Sequence, residues 1–174
     1  MDQLSFGSPD DFAPKIVFVE GDIRVSGRYE HSVLLVATGN IYITGDVRAK
    51  EGDVTQTPVQ LGLFAKRDVI IPENVETQQG NLTVEAFIMA DGEGQSTGIL
   101  KAEGTPFSQG TFNFAGAISV RGEERTAVNL NVFSQRVYSY NPQLTAGLLP
   151  FGSFIANIIQ WKEAGPTDPF PPSG

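Results

Sequence analysis

The chain has 174 residues, 40% of them hydrophobic and 18% charged, which fits one domain with a real core and excludes a disordered chain. The formal net charge of −8 argues against a duplex DNA binder acting through the whole chain, since phosphate contacts need a basic face. The absence of cysteine excludes disulfides, thiolate zinc sites and a cysteine nucleophile.

In chain order, Met1–Pro14 is polar, carries Pro9, Asp10, Asp11 and Pro14, and reads as an N-terminal loop or cap. It has neither a basic segment nor an apolar core, so no signal peptide is read in it. Residues 15–122 read as β-solenoid coils, because one phrase recurs. Three segments align without gaps: Val19-Glu20-Gly21-Asp22-Ile23-Arg24-Val25-Ser26-Gly27, Ala37-Thr38-Gly39-Asn40-Ile41-Tyr42-Ile43-Thr44-Gly45 and Phe114-Ala115-Gly116-Ala117-Ile118-Ser119-Val120-Arg121-Gly122. A fourth, Ala65-Lys66-Arg67-Asp68-Val69-Ile70-Ile71-Pro72-Glu73, is degenerate. The shared phrase is Gly, then Asp or Asn, then two β-branched residues one apart, closed by Gly. Each copy follows an apolar run, at Ile16–Val19, Val33–Val36, Leu61–Phe64 and Thr111–Phe114.

The unit is therefore strand, Gly-Asx corner, alternating strand and turn. Glycine reaches backbone angles that other residues avoid, and Asp or Asn bonds nearby amides. The first two corners are 18 residues apart. A βαβ unit needs roughly 30 residues or more, whereas one coil of a right-handed parallel β-helix fits, each coil stacking on the next to bury a core. The alternative is an antiparallel β-sandwich, whose strands recur every ~8–12 residues but need no fixed corner phrase. Glu51–Gln60 reads as a polar loop inserted between coils, and Asn81–Ala90 as a coil that lost the corner phrase.

Residues 123–163 read as a last strand, with alternation over Val128–Phe133, and a C-terminal cap. The apolar stretch Leu148–Glu163 is expected to cover the bare terminal coil as a strand or short helix. Residues 164–174 are a Pro-rich tail, expected to be extended. No apolar run reaches the ~18 residues of a membrane span, so no membrane insertion by this segment is expected.

Stacked coils would align Asp22, Asn40 and Asp68 in one column. Oxygen ligands in a column suit calcium, but the glycine-rich calcium nonapeptide is missing, so corner capping is the expected role. His31, the single histidine, sits in the turn-like Arg28–Ser32 with no nucleophile elbow nearby. Glycoside hydrolysis needs two carboxylates, and Asp22, Asp46, Asp68, Glu73 and Glu85 are available but read as solubilising side chains. No catalytic residue, metal ligand or cofactor is assigned. Gly92-Glu93-Gly94 lacks the lysine of a phosphate loop. The one candidate ligand-binding face combines Arg24, Tyr42, Arg48, Lys66 and Arg67, because aromatics beside cations suit sugars or single-stranded bases. Tyr29, Tyr138, Tyr140 and Trp161 could add to it, or the tyrosines could pack beneath inserted loops.

The phrases at Val19–Gly27, Gly39–Val47 and Leu61–Pro72 resemble the C-terminal solenoid domain of large minor-pilin-like proteins of bacterial type IV pilus systems. Tyr140-Asn141-Pro142-Gln143-Leu144 and Trp161-Lys162-Glu163 are similar to the Tyr-Asp-Pro-Arg-Leu and Trp-Lys/Arg-Glu phrases near the end of such proteins. The resemblance spans Lys15 to Glu163. Asn141 and Gln143 replace the family's usual acid and base, and the pilin helix is not in this sequence. What the resemblance implies is a non-enzymatic structural or adhesive module, extracellular or at the cell surface. Its partners would be other pilus or surface proteins, DNA or glycan. The runner-up is a polysaccharide-active β-helix enzyme or a phage-type spike fragment, and a trimeric spike would show an apolar outer stripe.

Overall fold

A computed structural model describes residues 15–50, 59–92, 97–122 and 126–139. The expected cap at Met1–Pro14, most of the Glu51–Gln60 insertion, the C-terminal cap and the Pro-rich tail lie outside the described residues. The chain folds as the parallel β-solenoid expected from the repeat, all-β with no helix among the described residues. The strands are β1 (Lys15–Val19), β2 (Ile23–Tyr29), β3 (Val33–Ala37), β4 (Ile41–Ala49), β5 (Leu61–Ala65) and β6 (Val69–Ile71). They continue as β7 (Leu82–Ala90), β8 (Leu100–Ala102), β9 (Gln109–Val120), β10 (Val128–Asn129) and β11 (Phe133–Ser139). All pairings between them are parallel, so the sandwich alternative fails.

Three faces form as the coils stack. The first joins β1, β3, β5 and the last residues of β7 and β9, in the column Val17, Leu35, Leu63, Ile88, Ile118. The second joins the start of β2, the start of β4, β6, β8 and β10, in the column Ile23, Ile41, Val69, Leu100, Val128. The third joins the ends of β2 and β4, the starts of β7 and β9, and β11, in the column Gly27, Val47, Val84, Phe114, Tyr138. Strand alternation sends every second side chain inward. Ile41, Ile43, Leu63, Val69, Ile88, Leu100 and Phe112 are fully buried in the resulting core.

The corners follow from the Gly-Asx phrase, with one change of reason. Gly21 does take a left-handed φ of 116°, as the repeat suggested. Gly39 is glycine for space: an added Cβ would meet Asp22 Oδ1 and the Gly21 carbonyl of the coil below. The Gly116 copy is a correction. Ala117 stands where Asx should, β9 runs through without a Gly-Asx corner, and Ile118–Val120 belong to the first face, in register with Ile88–Ala90. Its glycine is needed because a Cβ there would strike the Ala86 carbonyl. Arg28 and Tyr29 belong to β2, so the turn expected over Arg28–Ser32 is confined to Glu30–Ser32.

Candidate functional site

The corner column is built from its own hydrogen bonds. Asp22 Oδ1 accepts the Asn40 N–H at 2.7 Å, Asn40 Oδ1 accepts the Asp68 N–H at 3.1 Å, and Asp68 Oδ1 accepts the Ile99 N–H at 3.0 Å. Each Asx thus binds an amide that the next coil exposes where strand pairing stops. Corner capping is what these oxygens do. Two further steps of the same kind were missed in the sequence: Asp46 Oδ1 accepts from Thr83 N, and Asn81 Oδ1 from Thr111 N, both at 2.8 Å. Asp46 lies inside β4 and Asn81 directly before β7, and a lone Asx at such places is too common to single out.

The same bonds account for most of the carboxylates considered for glycan cleavage. Asp22, Asp46 and Asp68 are committed as above, and Glu85 Oε2 accepts the Ala49 N–H at 2.9 Å. Glu73 lies exposed in the turn after β6. Among the described residues, no three His, Cys, Asp or Glu side chains gather as a metal site would need. His31 is half-buried in the Glu30–Ser32 turn.

Of the five residues proposed as a ligand face, the structure brings together Arg24 and Tyr42. They are register neighbours on the outer side of the second face, with the Arg24 guanidinium 5.8 Å from the Tyr42 ring centre. This is a cation–π contact, of roughly 0.5–1 kcal/mol at an exposed position. Tyr42 is in register on its other side with Ile70, which is buried, and Ile70 with Lys101. Asn40 Nδ2 donates weakly to the Tyr42 hydroxyl at 3.4 Å. Lys66 and Arg67 occupy the corner preceding β6, where the Arg67 amide bonds the Gly39 carbonyl and its side chain is exposed. Arg48 is elsewhere. It lies on the third face and is occupied there, with one Nη donating to Asp46 Oδ2 at 2.8 Å and Thr83 Oγ1 at 2.9 Å.

Tyr29 is not a ligand aromatic. Its hydroxyl donates to the Glu85 carbonyl at 3.0 Å, reaching past the small Ala49 that is its register partner. Burial, helped by the nearby Glu85 carboxylate, pushes its hydroxyl pKa well above the ordinary tyrosine value. Tyr138 is exposed and sits edge-on to Phe114 at 6.3 Å. Tyr140 and Trp161 lie outside the described residues.

One surface was missed altogether. The outer side of the first face carries Ile16, Leu34, Gly62, Phe87 and Ala117 in one row, and Phe18, Val36, Phe64, Met89 and Ser119 in the next. Nine of these ten positions are apolar or glycine, on a side that alternation turns away from the core. Ile16 is 64% and Phe18 60% exposed. The unbroken apolar runs Ile16–Val19 and Val33–Val36 held the signal, since a strand that is apolar at every position reads as covered on both sides.

No family model, curated protein or solved structure matches the chain.

Proposed function

We propose that this chain is a non-enzymatic structural or adhesive module of a type IV pilus-associated or cell-surface protein. One observation carries the reading: the polar groups that recur with the coils are spent on binding coil to coil. Asp22, Asn40, Asp46, Asp68 and Asn81 each cap an amide of the following coil. That arrangement builds a stiff spacer and leaves function to lateral surfaces. The Arg24–Tyr42 column, with Arg67 at the neighbouring corner, is the surface offered to DNA or glycan. The order of phrases shared with minor-pilin-like solenoid domains supports an extracellular location and other pilus or surface proteins as partners. No helix among the described residues is long and apolar enough to cross a membrane.

Two experiments test this. Antibody against the native protein should find it in the sheared surface fraction of intact cells, and recovery only in the cytosol overturns the location. Single-stranded DNA and a glycan panel should show binding at low salt that weakens in Arg24→Ala and Tyr42→Ala, because a contact with phosphate is strongest where screening is least. Binding unchanged in both variants removes the ligand face.

The phage-type spike is the second reading, and the apolar outer stripe of the first face favours it. A stable trimer in sedimentation, or release of reducing ends from a polysaccharide, would replace the first reading with this one.

A further inference from the structure

The outer side of the second face carries one row along the solenoid axis. Arg24, Tyr42, Ile70, Lys101 and Asn129 follow one another in register, and all but the buried Ile70 are exposed or half-buried. The polar ends of the row are little used. Among the described residues Arg24 makes no hydrogen bond or ion pair and meets only the Tyr42 ring. The Tyr42 hydroxyl has only the 3.4 Å contact from Asn40, and Asn129 Oδ1 accepts the Asn131 N–H at 3.3 Å. Guanidinium, hydroxyl and amide groups in this state can exchange hydrogen bonds with a ligand that is itself rich in hydroxyls.

Charge decides between the ligand classes open to this face. Arg24 and Lys101 stand three coil steps apart, ~14 Å. That exceeds the screening length of about 8 Å at physiological salt, so the two do not act as one positive patch. Lys101 is paired with Glu103 at 3.0 Å, and the Asp22 and Asp68 carboxylates stand beside the row in the corner column. Arg67 at the corner only brings the two signs level. A nucleic-acid strand carries a negative charge at every phosphate and binds along a basic groove. This face has no such groove, whereas an uncharged glycan needs none.

Spacing points the same way. Equivalent side chains recur once per coil, every ~4.8 Å, which is close to the length of one pyranose unit in an extended chain. A linear glycan laid along the axis meets the row once per sugar.

We propose that the outer row of the second face binds an uncharged linear polysaccharide lying along the solenoid axis, one sugar to a coil. This rests on the reading of the Arg24–Tyr42 column as the ligand surface, and narrows its ligand from DNA or glycan to a neutral glycan.

The test is calorimetric titration of the full chain with cello-, manno- and N-acetylated chito-oligosaccharides of increasing length, beside a polyuronate and oligo-thymidylate. At least one neutral series should bind, with affinity that rises until the oligosaccharide spans Arg24 to Asn129 and then levels. Raising the salt should change that affinity less than about twofold, since the ligand carries no charge to screen. Arg24→Ala and Tyr42→Ala should each weaken it about tenfold, the effect of one good hydrogen bond to the ligand, while the far-ultraviolet β signal persists. Val137→Ala, on the third face, should leave it unchanged. Binding of the polyuronate or oligo-thymidylate alone, weakened by the same two variants and lost at high salt, overturns the neutral glycan and leaves the ligand surface standing. Binding of no probe, or binding that both variants leave unchanged, overturns the ligand surface itself and this inference with it. An affinity that does not grow beyond the disaccharide overturns the arrangement along the axis.

Discussion

β7 passes through two faces of the solenoid, and its two halves differ only in what they turn outward. Leu82, Val84, Ala86, Ile88 and Ala90 all point in and are buried. On the third face the outward residues are Thr83 and Glu85, and on the first they are Phe87 and Met89. One ladder of hydrogen bonds runs through both halves against β9. The inward set alone supplies the core, and the ladder runs on whichever kind of side chain is turned outward. The outward residues set each face apart: on the third, Thr83 and Glu85 bond Arg48 and the Ala49 N–H, and on the first, Phe87 and Met89 continue the apolar stripe.

The sharpest way to break this comparison is to mutate neighbours on opposite sides of one strand. Ile88→Ala should cost about 3 kcal/mol, the usual loss for a fully buried aliphatic. Met89→Ser should stay within about 1 kcal/mol. Urea midpoints at unchanged slope measure both. Equal costs would make the stripe part of the core and dissolve the distinction between the faces.

Next in size is the corner column. Asp68→Ala strands the Ile99 amide and should cost about 1–2 kcal/mol by the same assay. A loss under a few tenths would mean that water replaces the carboxylate at no cost, and the column would be decoration.

Tyr29 tests how far the third face is closed at its inner side. Its hydroxyl pKa is raised in the folded state, so its contribution is complete below the unfolded value of about 10 and is lost as pH rises above it. Tyr29→Phe should cost about 1 kcal/mol at neutral pH through loss of the bond to the Glu85 carbonyl, and should flatten the alkaline decline. An alkaline decline identical in the two proteins would assign it to other groups.

On the second face, Arg24→Ala should cost about 0.5 kcal/mol, since it removes only an exposed cation–π contact. The smallest effect belongs to the exposed Lys50–Glu30 pair at 2.6 Å. The Lys50 hydrogen bond and charge hold the Glu30 carboxyl below its ordinary pKa, so any stabilisation is present above that ordinary value and fades as pH falls through the lowered one. Lys50→Ala should be indistinguishable from the unaltered chain in a neutral-pH melt, and a clear shift would show that surface charge matters more here than at Arg24.

The solenoid was legible because its corners are unusual: Gly21-Asp22 and Gly39-Asn40 recur one coil apart, and even degenerate Asp68 falls in place. The copy at Gly116 misled because Ile118–Val120 has the same two-residue period as Ile41–Ile43. Period alone says nothing about which face of a coil a strand occupies. The grouping of the five residues proposed for ligand binding was half legible. Arg24 and Tyr42 meet because equivalent positions of successive coils stack, whereas Arg48 lies past the bend of β4 and sequence proximity could not reveal it. The stripe escaped because each apolar run was taken singly, and only the register lines them up.

The corner column also has a direction. Every Asx in it accepts a hydrogen bond from the coil that follows, never from the one before, and the series stops at Ile99, whose side chain has no oxygen to offer. Beyond Ile99 the next step at this corner is a backbone bond, the Leu100 N–H to the Ala127 carbonyl.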